Sequence, residues 1–248
     1  MKPIDGQKVK HSHQQIGDEI HAIFEYKGKT CRVATIDHSS ARATAAFQAI
    51  WNDVNFMHAS LSVAHSMKEK LENEKALNIF DLSSEAHLII SNIYTSSIVT
   101  YAKLFDSTSS KRGITQDKGR NAKLERSNLI KLLNEDQVKL HDKIITLRNA
   151  WAAHGGASDN ESINAVMVFD PHRQELPIPL YVASYKAIPS TDELEAFRDI
   201  CQPLLKLSEA QRGKSELRFM KTPFTVEFLN SLFETSRESL KTHSLSEV

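Results

Sequence analysis

The sequence predicts a mainly α-helical protein: an antiparallel helical bundle with a small β appendage of two hairpins, followed by C-terminal helices. Three observations predict it. Apolar residues recur every three or four positions through most of residues 41–156. Two pairs of short runs with period two, each pair joined at a turn signal, flank that region. A hydrophobic content of 40% with 25% charged residues suffices for a sizeable core and excludes global disorder. The 31 basic and 31 acidic side chains cancel, which excludes a basic nucleic-acid wrapper but leaves room for a local basic patch.

The first hairpin is read from Ile20, Ala22, Phe24 and Tyr26 alternating with polar residues, a turn at Gly28, and a β-branched run from Thr30 to Ile36. Residues 1–17 lack such a pattern and are expected to form a loose polar tail, with no secretory signal. From Ser40 the period changes: Ala45, Phe47, Ile50, Trp51, Val54, Met57, Leu61 and Ala64 mark a helix to about Lys70. A second helix opens at Asp81–Glu85, where Ser83 or Ser84 can cap free N–H groups, and runs to about Phe105. Its stretch Ala86–Tyr101 is the most apolar of the chain, yet it is too short and too polar to cross a bilayer.

A basic connection, Ser107–Asn121, precedes a third helical region at 122–133 and a fourth from Asp136, ended by Gly155-Gly156. Two runs, Ile163–Phe169 and Ile178–Tyr185, bounded by Pro177 and Pro179, form the second hairpin. The pattern leaves open whether the two hairpins share a sheet. Ser190-x-x-Glu193 is a capping box for a helix through Leu207, and Thr222-Pro223 opens a last helix carrying Phe224, Phe228, Leu232 and Phe233. The expected organisation is 1–40, tail and hairpin; 41–156, bundle; and 157–248, hairpin and helices packing on the bundle.

The chemistry-bearing patterns are few. His11-x-His13 lacks a third metal ligand at fixed spacing and reads as part of the tail. There is no His-Glu-x-x-His, no phosphate-cradling glycine loop and no Gly-x-Ser-x-Gly elbow. Cys31 and Cys201 form no pair; both read as structural, in a reducing, cytoplasmic setting. What remains is the end of the fourth helix, Leu147-Arg148-Asn149-Ala150-Trp151-Ala152-Ala153-His154-Gly155-Gly156. The bare Arg-to-His spacing recurs at Arg32/His38, read as hairpin surface, and at Arg237/His243, read as a fraying C-terminus. Arg148 and His154 differ in ending a strongly apolar helix with small Ala150, Ala152 and Ala153 between them. The negative helix end favours the imidazolium of His154. Six positions along a helix mean a rise of roughly 9 Å and a rotation of about 120°. One Arg and one His of one chain therefore converge poorly on a single phosphate, whereas two helices around a two-fold axis would bring two of each into one cleft.

These residues resemble the motif of the HEPN family (higher eukaryotes and prokaryotes nucleotide-binding), a helical bundle whose catalytic members carry Arg, four to six residues, then His. Asn149 matches the polar residue that follows the Arg, and Leu147–Gly155 looks like the typical "LRN…AHG" form. The resemblance spans residues 41–156, but its specific part is these nine or ten residues; Gly156 stands where one subgroup, paired with a nucleotidyltransferase antitoxin, has Tyr. It implies a metal-independent endoribonuclease of the toxin or antiphage-defence kind, acting at a homodimer interface without cofactor or membrane and restrained by an antitoxin or regulatory protein. Arg148, Asn149 and His154 would be catalytic. Positive charge for tRNA or single-stranded RNA would come from Lys111, Arg112, Lys118, Arg120, Lys123 and Arg126, opposed only by Asp117 and Glu125 in Ser107–Arg126. Trp151, on the apolar stripe, reads as core or dimer packing more than as a base-stacking platform. The rival expectations are a non-catalytic HEPN dimer that binds RNA or nucleotide or scaffolds a partner, and a chain whose residues 157–248 carry the function.

Overall fold

A computed structural model describes residues 9–36, 38–73, 85–105, 122–149, 161–170, 173–185 and 188–244, the side chains of 161–185 and 243–244 excepted. The elements run β1 (Val9–Ile16), β2 (Glu19–Tyr26), β3 (Lys29–Thr30), α1 (Ser39–Asn73), α2 (Glu85–Lys103), α3 (Arg126–Ile130) and α4 (Glu135–Leu147). They continue with β4 (Glu161–Asp170), β5 (Arg173–Tyr185), α5 (Thr191–Asp199), α6 (Cys201–Met220), α7 (Val226–Thr235) and β6 (Ser239–Ser244). The protein is mainly helical, with a small four-stranded antiparallel sheet and a separate two-stranded one. Among the described residues no helix is long and apolar enough to cross a membrane. The chain divides into two compact units, Met1–Ala41 with Arg218–Val248, and Arg42–Leu217.

The larger unit is built on the helical stripes. In α1 the buried positions Ala43, Ala46, Ile50, Val54, Met57, Leu61 and Ala64 recur every three or four residues, so a single face enters the core. Ile90, Tyr94, Ile98 and Tyr101 of α2, Ile144 of α4, Leu194 and Phe197 of α5, and Cys201, Leu204 and Leu207 of α6 complete the same cluster. The rings of Tyr94 and Tyr101 meet Phe197 edge-on, with centroids 6.0 and 5.7 Å away. Helices α5 and α6 thus share the core of the helices before them. Cys201 lies fully buried, its Sγ donating to the Phe197 carbonyl at 3.4 Å, and burial pushes its thiol up to about 12. This is the structural role expected of it.

The capping box at Ser190 is present as expected: its hydroxyl accepts from the Glu193 amide, and the Glu193 carboxylate accepts from the Ser190 amide. Replacing Ser190 with alanine should lower stability by about 1 kcal/mol, read as a shifted urea midpoint at unchanged slope. A second box, Asn134 with Gln137, opens α4 one residue before the expected start. The helix expected over 122–133 shrinks to α3. The reason is local: the Leu124 amide donates to the Leu104 carbonyl at 2.7 Å, holding Ala122 and Leu124 in a buried non-helical segment. The second hairpin is longer than expected, and Pro177 and Pro179 lie inside β5 rather than at its border. Among the described residues β5 has one partner strand, so a proline without N–H is tolerated on it. The two hairpins do not share a sheet.

The smaller unit departs most from expectation. Residues 9–16, expected as loose tail, form β1 and pair with β2 over its full length. Gly17, at φ 60°, occupies the first central position of the intervening turn. The β-branched run after Gly28 contributes only Lys29–Thr30 to the sheet. The C-terminus, expected to fray, forms β6, which lies along β2 beside β3. All of β1 beyond its first residue is exposed, so polar side chains stand at nearly every position and no alternation arises, while β6 finds its partner more than two hundred residues earlier. Helix α7 starts at Val226, capped by the Thr225 hydroxyl, and not at Thr222-Pro223. Arg32 fastens this unit, donating to the Ser236 hydroxyl and carbonyl at 2.9 and 2.7 Å while stacking over Phe233 at 5.0 Å.

Candidate functional site

Helix α4 carries the first part of the Arg-to-His segment. Its capping box fixes the start, Glu135 and Asp136 complement the positive end, and His141 and Ile144 bury against the core. Arg148 still donates its amide to the Ile144 carbonyl, and residues 148 and 149 continue the helix as a π-turn. The Arg148 guanidinium donates to the Asn149 amide oxygen at 3.0 Å. Both residues line an open groove of about 310 Å³ with Ile145 and with Ala102 and Phe105 from the end of α2.

The groove rests on an aromatic support that sequence reasoning missed. The His141 ring meets Phe105 edge-on at 5.0 Å, and its Nδ1 hydrogen-bonds the Tyr101 hydroxyl at 2.8 Å within the core. His141 precedes Arg148 by seven residues, two helical turns, so it lies below it on nearly the same face. The signal was visible only in part: Tyr101 stood on an apolar stripe, but a histidine inside a helix pattern does not announce its partner.

Burial pushes the His141 imidazole below its ordinary value; Asp142 opposes this and Arg126 reinforces it. The sign follows from linkage. In the window between its lowered folded pKa and the unfolded value near ~6.5, the unfolded chain binds a proton that the folded chain refuses. Stability is therefore retained above that window and falls as pH drops through it. His141→Gln should flatten this decline, seen as a smaller loss of Tm between neutral and mildly acidic buffer; an unchanged decline would deny His141 the role.

The remaining expected site residues fall into two groups. Lys123 and Arg126 are described. Lys123 stands 3.6 Å from Glu125, and Arg126 holds both Asp142 oxygens at 2.8 and 3.0 Å, tying α3 to α4. Both pairs are exposed, so each contributes at most about 1 kcal/mol and exchanges readily for another anion. His154, Trp151, Lys111, Arg112, Lys118 and Arg120 lie outside the described residues, as do Ser83 and Ser84. Among the described residues no group of three His, Cys, Asp or Glu side chains is placed to hold a metal ion. Comparison of the chain with family models, with curated proteins and with solved structures finds no match.

Proposed function

We propose that the protein is a metal-independent endoribonuclease of the HEPN type, active as a homodimer and used as a toxin or antiphage effector under a partner's restraint. The observation that carries the reading is the Arg148–Asn149 pair, hydrogen-bonded at a helix end on the rim of a groove, with Asn149 five positions before His154. The resemblance of Leu147–Gly155 to the family motif supports the same reading.

The residue chemistry suffices for the reaction. RNA brings its own nucleophile, the 2′-OH beside the scissile phosphate. His154 takes that proton or protonates the 5′-oxygen as it leaves. Arg148 holds phosphate oxygens while negative charge grows on them, and Asn149 orients the guanidinium it already binds. The products are a 2′,3′-cyclic phosphate and a 5′-OH. Asp142, six residues before Arg148 on the same helix, holds Arg126 of α3, and there an RNA backbone can exchange for the carboxylate.

The test uses matched RNA and DNA strands and an RNA with one 2′-deoxy nucleotide at the mapped cut. The RNA is cleaved, the DNA stays intact, and the single deoxy substitution blocks that cut alone. Cleavage at the deoxy position would exclude the 2′-OH as nucleophile.

A further inference from the structure

The four-stranded sheet carries a second constellation, far from α4 in sequence. Glu19 and His21 stand two residues apart on β2 and so on one face; their register partners on β6 are Ser244 and Lys241, and Ser239 faces Ile23 on that same side. The side chains are joined in a row. The Ser239 hydroxyl hydrogen-bonds His21 Nδ1 at 3.0 Å, and His21 Nε2 meets Glu19 Oε2 at 3.0 Å. Lys241 donates to the other Glu19 oxygen at 2.6 Å, and with His21 it holds that carboxyl below the usual range, so Glu19 stays ionised. An ionised Glu19 accepts the proton of His21 Nε2. That tautomer leaves the Nδ1 lone pair facing the Ser239 hydroxyl.

The row borders open space. Glu19, His21 and Ser239 line a groove of about 580 Å³ with Thr35, Arg237 and Lys241. That volume suits a small organic ligand. The Arg237 side chain has no hydrogen-bond or ion-pair partner among the described residues, although its backbone is fixed by exchanging hydrogen bonds with Val33 at 2.7 and 2.9 Å. The groove thus combines a hydroxyl held on a base, a carboxylate that orients the base, and an uncommitted guanidinium.

We propose that this groove is a nucleophilic serine site, with Ser239 as nucleophile, His21 as general base and Glu19 as its orienting group, acting on small esters that carry a carboxylate or phosphate for Arg237. The Ser239 oxygen forms a bond to the acyl carbon while its proton passes to His21 Nδ1. The carbon–oxygen bond to the leaving alcohol then breaks, and His21 returns the proton to that alcohol. Water, deprotonated by the same nitrogen, releases the acid and restores Ser239. The geometry is independent of the ribonuclease reading.

The test treats the purified full-length protein with a fluorophosphonate probe, whose phosphorus–fluorine bond breaks as the serine oxygen bonds to phosphorus. Peptide mapping should place the adduct on Ser239. Labelling should vanish in Ser239→Ala and slow at least tenfold in His21→Ala, both checked for native circular dichroism. No adduct, or a rate indifferent to His21, would reduce the row to a structural hydrogen-bond lock and overturn the proposal. If His21→Ala unfolds, the wild-type pH profile decides: a labelling rate that rises as a single group deprotonates supports a base, and a flat profile rejects it. For the substrate class, mono-p-nitrophenyl succinate should be hydrolysed with kcat/KM at least tenfold above p-nitrophenyl acetate, and Arg237→Glu should remove that preference. Equal rates in the wild type would overturn the anionic assignment.

Discussion

Replacing His154 with alanine is expected to abolish RNA cleavage while leaving RNA binding nearly intact. General acid–base catalysis by a positioned side chain is worth about 10²- to 10⁴-fold, and in the proposed reaction one residue type would serve as both acid and base. In the proposed reading, binding draws on a different set of contacts, the Lys and Arg side chains between Lys111 and Arg126, whose contribution would be electrostatic and salt-dependent. Cleavage rate and anisotropy titrations should therefore separate in His154→Ala. Arg148→Ala should lose about 10²- to 10³-fold, the usual cost of removing one donor to a developing oxyanion. Arg148→Lys should restore little, because a point charge does not reproduce the planar fork now engaged by Asn149. A His154→Ala protein that cleaves at the wild-type rate would remove the residue from the chemistry.

The second large effect concerns the fold. Phe197→Ala should cost about 3–5 kcal/mol and lower Tm by roughly 6–20 °C. Phe197 is 1% exposed and stands between the rings of Tyr94 and Tyr101, so truncation leaves a void among aromatic side chains that cannot close over it. The result matters because Phe197 belongs to α5, which follows the Arg-to-His segment in sequence. A loss of this size in a single cooperative transition would show that α5 and α6 complete the core of the bundle. A change below about 1 kcal/mol would detach them from it.

The stripe from Ala46 to Ala64 was readable because one face of α1 is buried and the other is wet, which is the condition for a helical period. Ser190 and Glu193 were readable because a capping box is local. β1 was not, since an exposed edge strand has no reason to alternate, and β6 pairs with residues more than two hundred positions earlier. The same distance hid the hydrogen bond of Ser239 to His21. Glu19-x-His21 was an ordinary strand fragment until the sheet supplied its third member. At the helix end, Arg148 and Asn149 were legible as residue types, whereas the groove they border depends on where α2 ends, set by the Leu124–Leu104 hydrogen bond.

The central claim, that the Arg148–His154 segment cleaves RNA without a metal, is tested most directly by one assay. Wild-type protein and His154→Ala are incubated with total tRNA and a long single-stranded RNA in EDTA, and the fragment ends are mapped. The account predicts wild-type cuts ending in 2′,3′-cyclic phosphate and 5′-OH, all absent from the variant. Cleavage that EDTA abolishes and added magnesium restores, or fragments bearing 5′-phosphates, would contradict it.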